Sequence, residues 1–306
     1  MIAAALHRAA LLGCLALASA TTGASTSLRF CAGETERDAT QQDRVLQVAA
    51  KLREQLAAHG QPAALLARAG TQLGRFGLRY THAALVLEDH PLTPWGVRQL
   101  YFACDERRSR LFDQGLAGFL LGADDPDRGF ASLLLLPAQA AESLAAAGAD
   151  REQALALLDG EYMANAHPQD LLRQNCNQWL AELLALGWGQ AAAGTVVPNS
   201  ARAQAQAQLQ RWGYAPEPVH YGSPIWRWLA VFVPWVSMQG HPAEDLAANR
   251  LVTSLPPDLE GLTQRLWPAA LRVELCYTPS HWVLRRNGAP LSADCRAEAG
   301  DESGRF

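Results

Sequence analysis

The chain has 306 residues, enough for one large domain or two modest ones, each with a real core. Its net charge is −4 and 18% of its residues are charged, so no basic field of the kind nucleic acid requires is present.

The opening stretch "MIAAALHRAALLGCLALASATTGAS" has a weakly basic start at His7 and Arg8, an apolar run over 9–18 and a small-residue site at Ala18-Ser19-Ala20. That run is too short to cross a bilayer, and the pattern predicts a secretory signal over 1–24. The expected location is therefore the periplasm or the exterior, with no transmembrane segment. With Cys14 removed alongside the signal, five of the six cysteines remain: Cys31, Cys104, Cys176, Cys276 and Cys295. In an oxidising compartment that count suggests two pairs and one odd thiol. Cys276 and Cys295 flank a hairpin-like segment and are expected to pair. Cys31 then meets Cys104, and Cys176 is left over.

Residues 39–58 carry Val45, Leu46, Ala49, Leu52 and Leu56 at helical spacing, ended by Gly60. "FGLRYTHAALVL" (76–87) and "VRQLYFAC" (97–104) are rich in aromatic and branched residues and predict two strands, joined by the loop "EDHPLTPWG". "CDERRSR" is a mixed-charge solvated loop, and "DQGLAGFLLGADDPDRG" is loop-rich around a short apolar piece. Asp124 to Asp127 within it fit a solvated turn, without the longer ligand pattern that calcium needs. "FASLLLLP" predicts a third strand, followed by helices near 138–147 and 150–160.

The next helix is sharply marked. Cys176, Trp179, Leu180, Leu183, Leu184 and Gly187 lie on one helical face, with Asn175 at the N-cap position and glycine at 187 and 189 to end it. After a linker near 190, a polar helix follows in "SARAQAQAQLQRWG". Trp226, Trp228 and Trp235, in "SPIWRWLAVFVPWV", are expected in a core strand or helix. A short helix near 256–266 precedes a terminal hairpin made of "LRVELCYT" and "HWVLRRNGAPL", with Asn287-Gly288 as a turn signal. The last residues, 297–306, look disordered. No Gly-rich phosphate loop, HExxH or CxxC motif appears, so neither cofactor nor metal is expected.

A thiol in the first turn of a helix faces unpaired backbone N–H groups and the positive end of the helix dipole, both of which favour thiolate. Cys176 holds that position. A nucleophile also needs a base, and His82 stands at the start of an apolar strand with Ala84 and Val86 on its own face. The order is base strand, second strand, third strand, helices, then Asn175-Cys176-Asn177 opening a helix. It resembles the circularly permuted papain-like fold of lecithin retinol acyltransferase-like proteins and permuted relatives of the NlpC/P60 peptidases. Tyr80-Thr81-His82-Ala83-Ala84 carries the match for the base strand. "RFCAG", "RFGLRYTHAAL", "PWGVRQLYFACDERRSRLFDQGLAGFLLGADDP", "QNCNQWLAELL" and the terminal hairpin also resemble an exported bacterial family, domain of unknown function 2145.

The thiol-hydrolase resemblance implies an α+β fold with a small antiparallel sheet packed on helices over 25–190, and a C-terminal extension over 191–296 carrying its own hairpin. It implies Cys176 as nucleophile and His82 as base, either accepting the thiol proton or holding an ion pair. It also implies a polar residue on the next strand to orient the ring: Gln99, or alternatively Asp105. If strand partners sum to about 184, His82 faces Phe102, and the two candidates lie three residues to either side. The oxyanion is expected at the helix start, around Asn175 and Asn177. The expected function is an exported cysteine hydrolase or acyltransferase acting on amide or ester bonds of cell-wall peptide or lipid. The alternative is a non-catalytic binding or scaffold protein with the same fold.

Overall fold

The structure, a computed structural model, describes residues 36–306 apart from 72, 107, 159–160, 190–200, 231 and 234. The expected signal segment, Cys14 and Cys31 lie outside the described residues. Helix α1 (Ala39–His59) starts from Asp38, whose carboxylate accepts from the Gln41 backbone while the Gln41 side chain accepts from the Asp38 N–H. It ends at Gly60 in the left-handed conformation. Strands β1 (Ala63–Arg68), β2 (His82–Leu87), β3 (Gly96–Ala103) and β4 (Arg108–Gln114) follow, then helix α2 (Leu116–Leu121) and strand β5 (Gly129–Leu135). Helices α3 (Ala138–Ala149) and α4 (Arg151–Ala156) lead to the short strands β6 (Glu161–Tyr162) and β7 (Arg173–Gln174), which bracket the approach to helix α5 (Cys176–Trp188). Helix α6 (Ala201–Arg211), strand β8 (Val219–His220), helices α7 (Ile225–Ala230) and α8 (Ala243–Ala247), strand β9 (Arg250–Leu251) and helix α9 (Pro256–Leu266) come next. The chain ends in strands β10 (Leu271–Tyr277), β11 (His281–Arg286) and β12 (Glu302–Arg305).

The described residues build one eight-stranded sheet in the order β12-β11-β10-β5-β1-β2-β3-β4, every neighbouring pair antiparallel. The fold is α+β, with this sheet packed against helices. On one face, Val45, Val48 and Leu52 of α1 and Phe119 of α2 pack on Ala64, Leu66, Ala84, Val86, Leu133 and Leu275. The opposite face meets α3 and α5. Gly148 of α3 approaches so closely that a Cβ there would fall 2.1 Å from a Leu85 methyl group.

Four expectations are corrected. The sheet is not small, because β1 and β4 belong to it as well. β1, "AALLAR", is buried on both faces and so lacks the alternation that marks a strand. β4, "RSRLFDQ", takes its place at the sheet edge from within the stretch that its charges mark as loop. The C-terminal hairpin is not a separate extension: β10 pairs directly with β5 across the expected boundary near 190, so both halves share one sheet. Nor is the tail disordered, since Glu302–Arg305 pairs with β11 and Asp301 takes a two-pronged contact from Arg285. Finally, the Trp-rich segment is not core. Helix α7 is only six residues long, Trp228 is 79% and Phe232 81% exposed, and Trp226 rests edge-on against Phe76 under the Arg75 guanidinium. Among the described residues no helix is long and apolar enough to cross a membrane.

The hairpin is closed by the Cys276–Cys295 disulfide, spanning 19 positions. Cys104 is also disulfide-bonded; its expected partner, Cys31, lies outside the described residues. Replacing Cys276 and Cys295 by serine together is expected to lower stability by about 3 kcal/mol through the freed loop entropy. The check is a lower urea midpoint, with a slope that rises as the unfolded chain loses its cross-link.

Candidate active site

Asn175 caps α5: its side-chain oxygen accepts from the Gln178 N–H at 2.7 Å, and its amide donates to Ala164 O and Thr253 Oγ1. Asn177 is spent in the same way, accepting from the Ala83 N–H at 3.0 Å and donating to Thr81 O and Ser254 O. Neither side chain is therefore placed as an oxyanion donor; both fix the helix start against β2 and the loop before α9. The Cys176 and Asn177 backbone N–H groups remain at the helix start, and both favour the charged form of the Cys176 sulfur.

Cys176 Sγ lies 3.0 Å from His82 Nδ1, and the other ring nitrogen, Nε2, meets Gln99 Oε1. An amide oxygen at Nε2 calls for the tautomer with its proton there, which leaves Nδ1 as the acceptor facing the thiol. The register explains why Gln99 stands here. Leu85 faces Arg98 and Val86 faces Val97, so partners sum to 183, one less than expected. Extended along the ladder, this puts Tyr101 opposite His82 and Gln99 two residues away, on the same face. Asp105 is exposed in the turn after β3 and does not reach the ring.

The chain ahead of His82 is pinned from the C-terminal strands. Glu274 on β10 is buried and receives the Tyr80 hydroxyl, Arg79 at 3.1 Å, Arg272 at 3.2 Å and the Leu291 N–H. The His82 ring rests against Phe119, centroids 5.7 Å apart.

Tyr162, which no local sequence signal marks, completes the site. Its hydroxyl donates to Cys176, and its ring stacks on Phe102 with centroids 5.1 Å apart. The parallel bridge pairing Tyr162 with Gln174, two residues ahead of Cys176, puts it there. That pairing joins segments far from the helix pattern, so only the folded chain reveals it.

Electrostatics reverse one expectation. Burial pushes the Cys176 thiol up to about 11, although the Asn177 N–H, the Arg68 guanidinium and Tyr162 all pull it down. Burial, reinforced by Arg68, pushes His82 down to about 3 against the hydrogen bond it donates to Gln99. Desolvation thus outweighs the helix start, and the pair rests as neutral thiol and neutral imidazole. Cys176 is the free cysteine among the described residues, 5% exposed. Those residues hold no group of three or more His, Cys, Asp or Glu placed to bind a metal ion.

Beneath the helix start, Glu182 of α5 is buried and gripped by Arg202 of α6 through contacts of 2.9 and 3.0 Å, with Gln174, Gln178 and Gln206 filling the remaining carboxylate positions. Arg202→Met is expected to cost about 3–5 kcal/mol, because Glu182 stays buried without its cation. Thermal or urea unfolding measures the loss.

Neither the curated proteins nor the solved structures contain a significant match to this chain. A family match does exist, and its span holds His82, Gln99, Tyr162 and Cys176 but ends before the terminal hairpin. The family described as uncharacterized protein conserved in bacteria, DUF2145, matches residues 55–258, which is 204 of the 306, and the chain belongs to it.

Proposed function

We propose that the protein is an exported cysteine hydrolase or acyltransferase that acts on amide or ester bonds through a Cys176 acyl-enzyme, on a core of circularly permuted papain-like type. The observation that supports this reading is the chain of contacts from Cys176 Sγ to His82 Nδ1 at 3.0 Å and on to Gln99. Sulfur attacks the carbonyl carbon while its proton passes to Nδ1. The imidazolium is stabilised at Nε2 by Gln99, and the oxyanion faces the Cys176 and Asn177 N–H groups. The departing amine or alcohol takes the proton from Nδ1, leaving a thioester that water or a second acceptor resolves. The order of base strand before nucleophile helix agrees with the permuted fold. Cell-wall peptide is the first substrate class to test, and lipid amides or esters the second.

A non-catalytic binding or scaffold protein is favoured by one observation, the covered and un-ionised thiol beneath Tyr162. Incubation with peptidoglycan fragments, acyl amides and lipid esters, followed by acid quench and intact mass analysis, separates the two readings. An acyl adduct that maps to Cys176 and is absent from Cys176→Ala supports the enzyme. No adduct and no Cys176-dependent turnover with any class leaves the scaffold reading.

A further inference from the structure

Arg68 ends β1 directly opposite His82 in the β1–β2 ladder, so both side chains leave the same face of the sheet. They share Phe119 as a floor: the guanidinium carbon lies 5.2 Å from the ring centroid. Two glycines make room for the guanidinium. A Cβ at Gly122 would fall 2.5 Å from Nη2, and one at Gly70 would fall 3.0 Å from Nη1.

The hydrogen bonds of this guanidinium are incomplete. Nη1 donates to Ala69 O at 3.3 Å, while Nε is buried and neither it nor Nη2 finds an acceptor among the described residues. Three other arginines display what that edge does in this protein. Arg98 grips Asp113 with Nε and Nη2 both at 2.8 Å; Arg202 grips Glu182 at 2.9 and 3.0 Å; Arg285 grips Asp301 at 2.8 and 2.7 Å. In each case the Nε–Nη2 edge holds the two oxygens of one carboxylate. Arg68 offers the same edge with no carboxylate at ion-pair distance among the described residues, and part of the residue reaches solvent. Burial works against its charge, Asp124 favours it and Arg37 opposes it.

The geometry points to Arg68 as an anion subsite beside Cys176, taking a carboxylate of the bound molecule on its Nε–Nη2 edge. The assignment of that molecule as substrate rests on the acyl-transfer reading, which it sharpens. The preferred compound is an amide or ester with a free carboxylate close to the bond attacked, an acidic peptide rather than a neutral lipid ester.

Two measurements on the full-length chain test this. The first compares alkylation of Cys176 by iodoacetate and iodoacetamide. Each forms the same C–S bond, expels iodide and releases the thiol proton to buffer, so their rate ratio cancels the ionised fraction of the thiol. In the folded wild type the ratio is expected to exceed that of the urea-unfolded chain by about tenfold or more. It should fall to the unfolded value in Arg68→Gln and be largely restored in Arg68→Lys. The second is saturation-transfer NMR on Cys176→Ala, with N-acetylalanine, N-acetylalaninamide and phenyl phosphate as probes. Transfer to the carboxylate but not the amide, lost on adding Arg68→Gln, supports the subsite; equal transfer to acid and amide, or transfer to the phosphate alone, overturns it. Because this arm needs no reactive thiol, an inert Cys176 would sink the enzyme reading while the subsite is still judged by NMR.

Discussion

On the proposed acyl-transfer reading, His82→Ala is expected to lower kcat/KM by about 10²–10⁴-fold, and Cys176→Ala to bring turnover to background. His82 Nδ1 is 3.0 Å from the sulfur and so is placed to take its proton during attack. With the thiol raised to about 11, the reaction draws on proton transfer within the attack and not on a thiolate formed beforehand. Gln99→Leu should cost about tenfold, since it removes the acceptor that keeps the Nε2 proton in place and steadies the imidazolium. The pH profile carries a further signature. His82 stays neutral above about 3 and Cys176 stays protonated below about 11, so kcat/KM is expected to be level across the pH range in which the protein is folded. Steady-state kinetics from acid to alkaline pH on the wild type and these variants decide the matter. A bell with a limb near neutrality would contradict a neutral resting pair.

Cys176 in the free protein is expected to react with iodoacetamide about a hundredfold more slowly at pH 7 than an unfolded cysteine of ordinary value 9.0, rising about tenfold per pH unit toward about 11. The cause is the removal of water around the sulfur, which the Asn177 N–H, Arg68 and Tyr162 offset only in part. Stopped-time labelling with peptide mass mapping follows that rate residue by residue. The same two groups give stability a pH dependence of fixed sign. For Cys176, raised on folding, the contribution is complete below about 9 and lost as pH rises to about 11. For His82, lowered on folding, it is complete above about 6.5 and lost as pH falls toward about 3. Cys176→Ala should flatten the alkaline limb, and His82→Ala the acid one, in unfolding curves taken across pH.

The helix that starts at Cys176 is legible in sequence because a periodic apolar face and an Asn cap are local properties. Of the strand predicted over 76–87, the apolar half His82–Leu87 is legible for the same kind of reason, while 76–81 lie ahead of the strand. Gln99 is legible only as one of two alternatives, since a single residue of register separates the readings, and the turn between β2 and β3 decides it. Strand β1 escapes notice because a strand covered on both faces has no alternating pattern, and Arg68 at its end escapes with it. Tyr162 depends on a two-residue parallel bridge, and Glu274 on a pairing between β10 and β5 that joins distant parts of the chain. The exposed α7 is the opposite case, where composition argues for burial but a six-residue helix between turns finds little to cover it.

Glu274 holds Tyr80 and Arg79, the residues that lead into His82, from a strand 194 and 195 positions further along the chain. A polypeptide delivered from its N-terminus therefore carries its thiol and its histidine well before the carboxylate that sets their approach has arrived. A chain cut short ahead of β10 would hold both reactive groups without the carboxylate that anchors Tyr80 and Arg79.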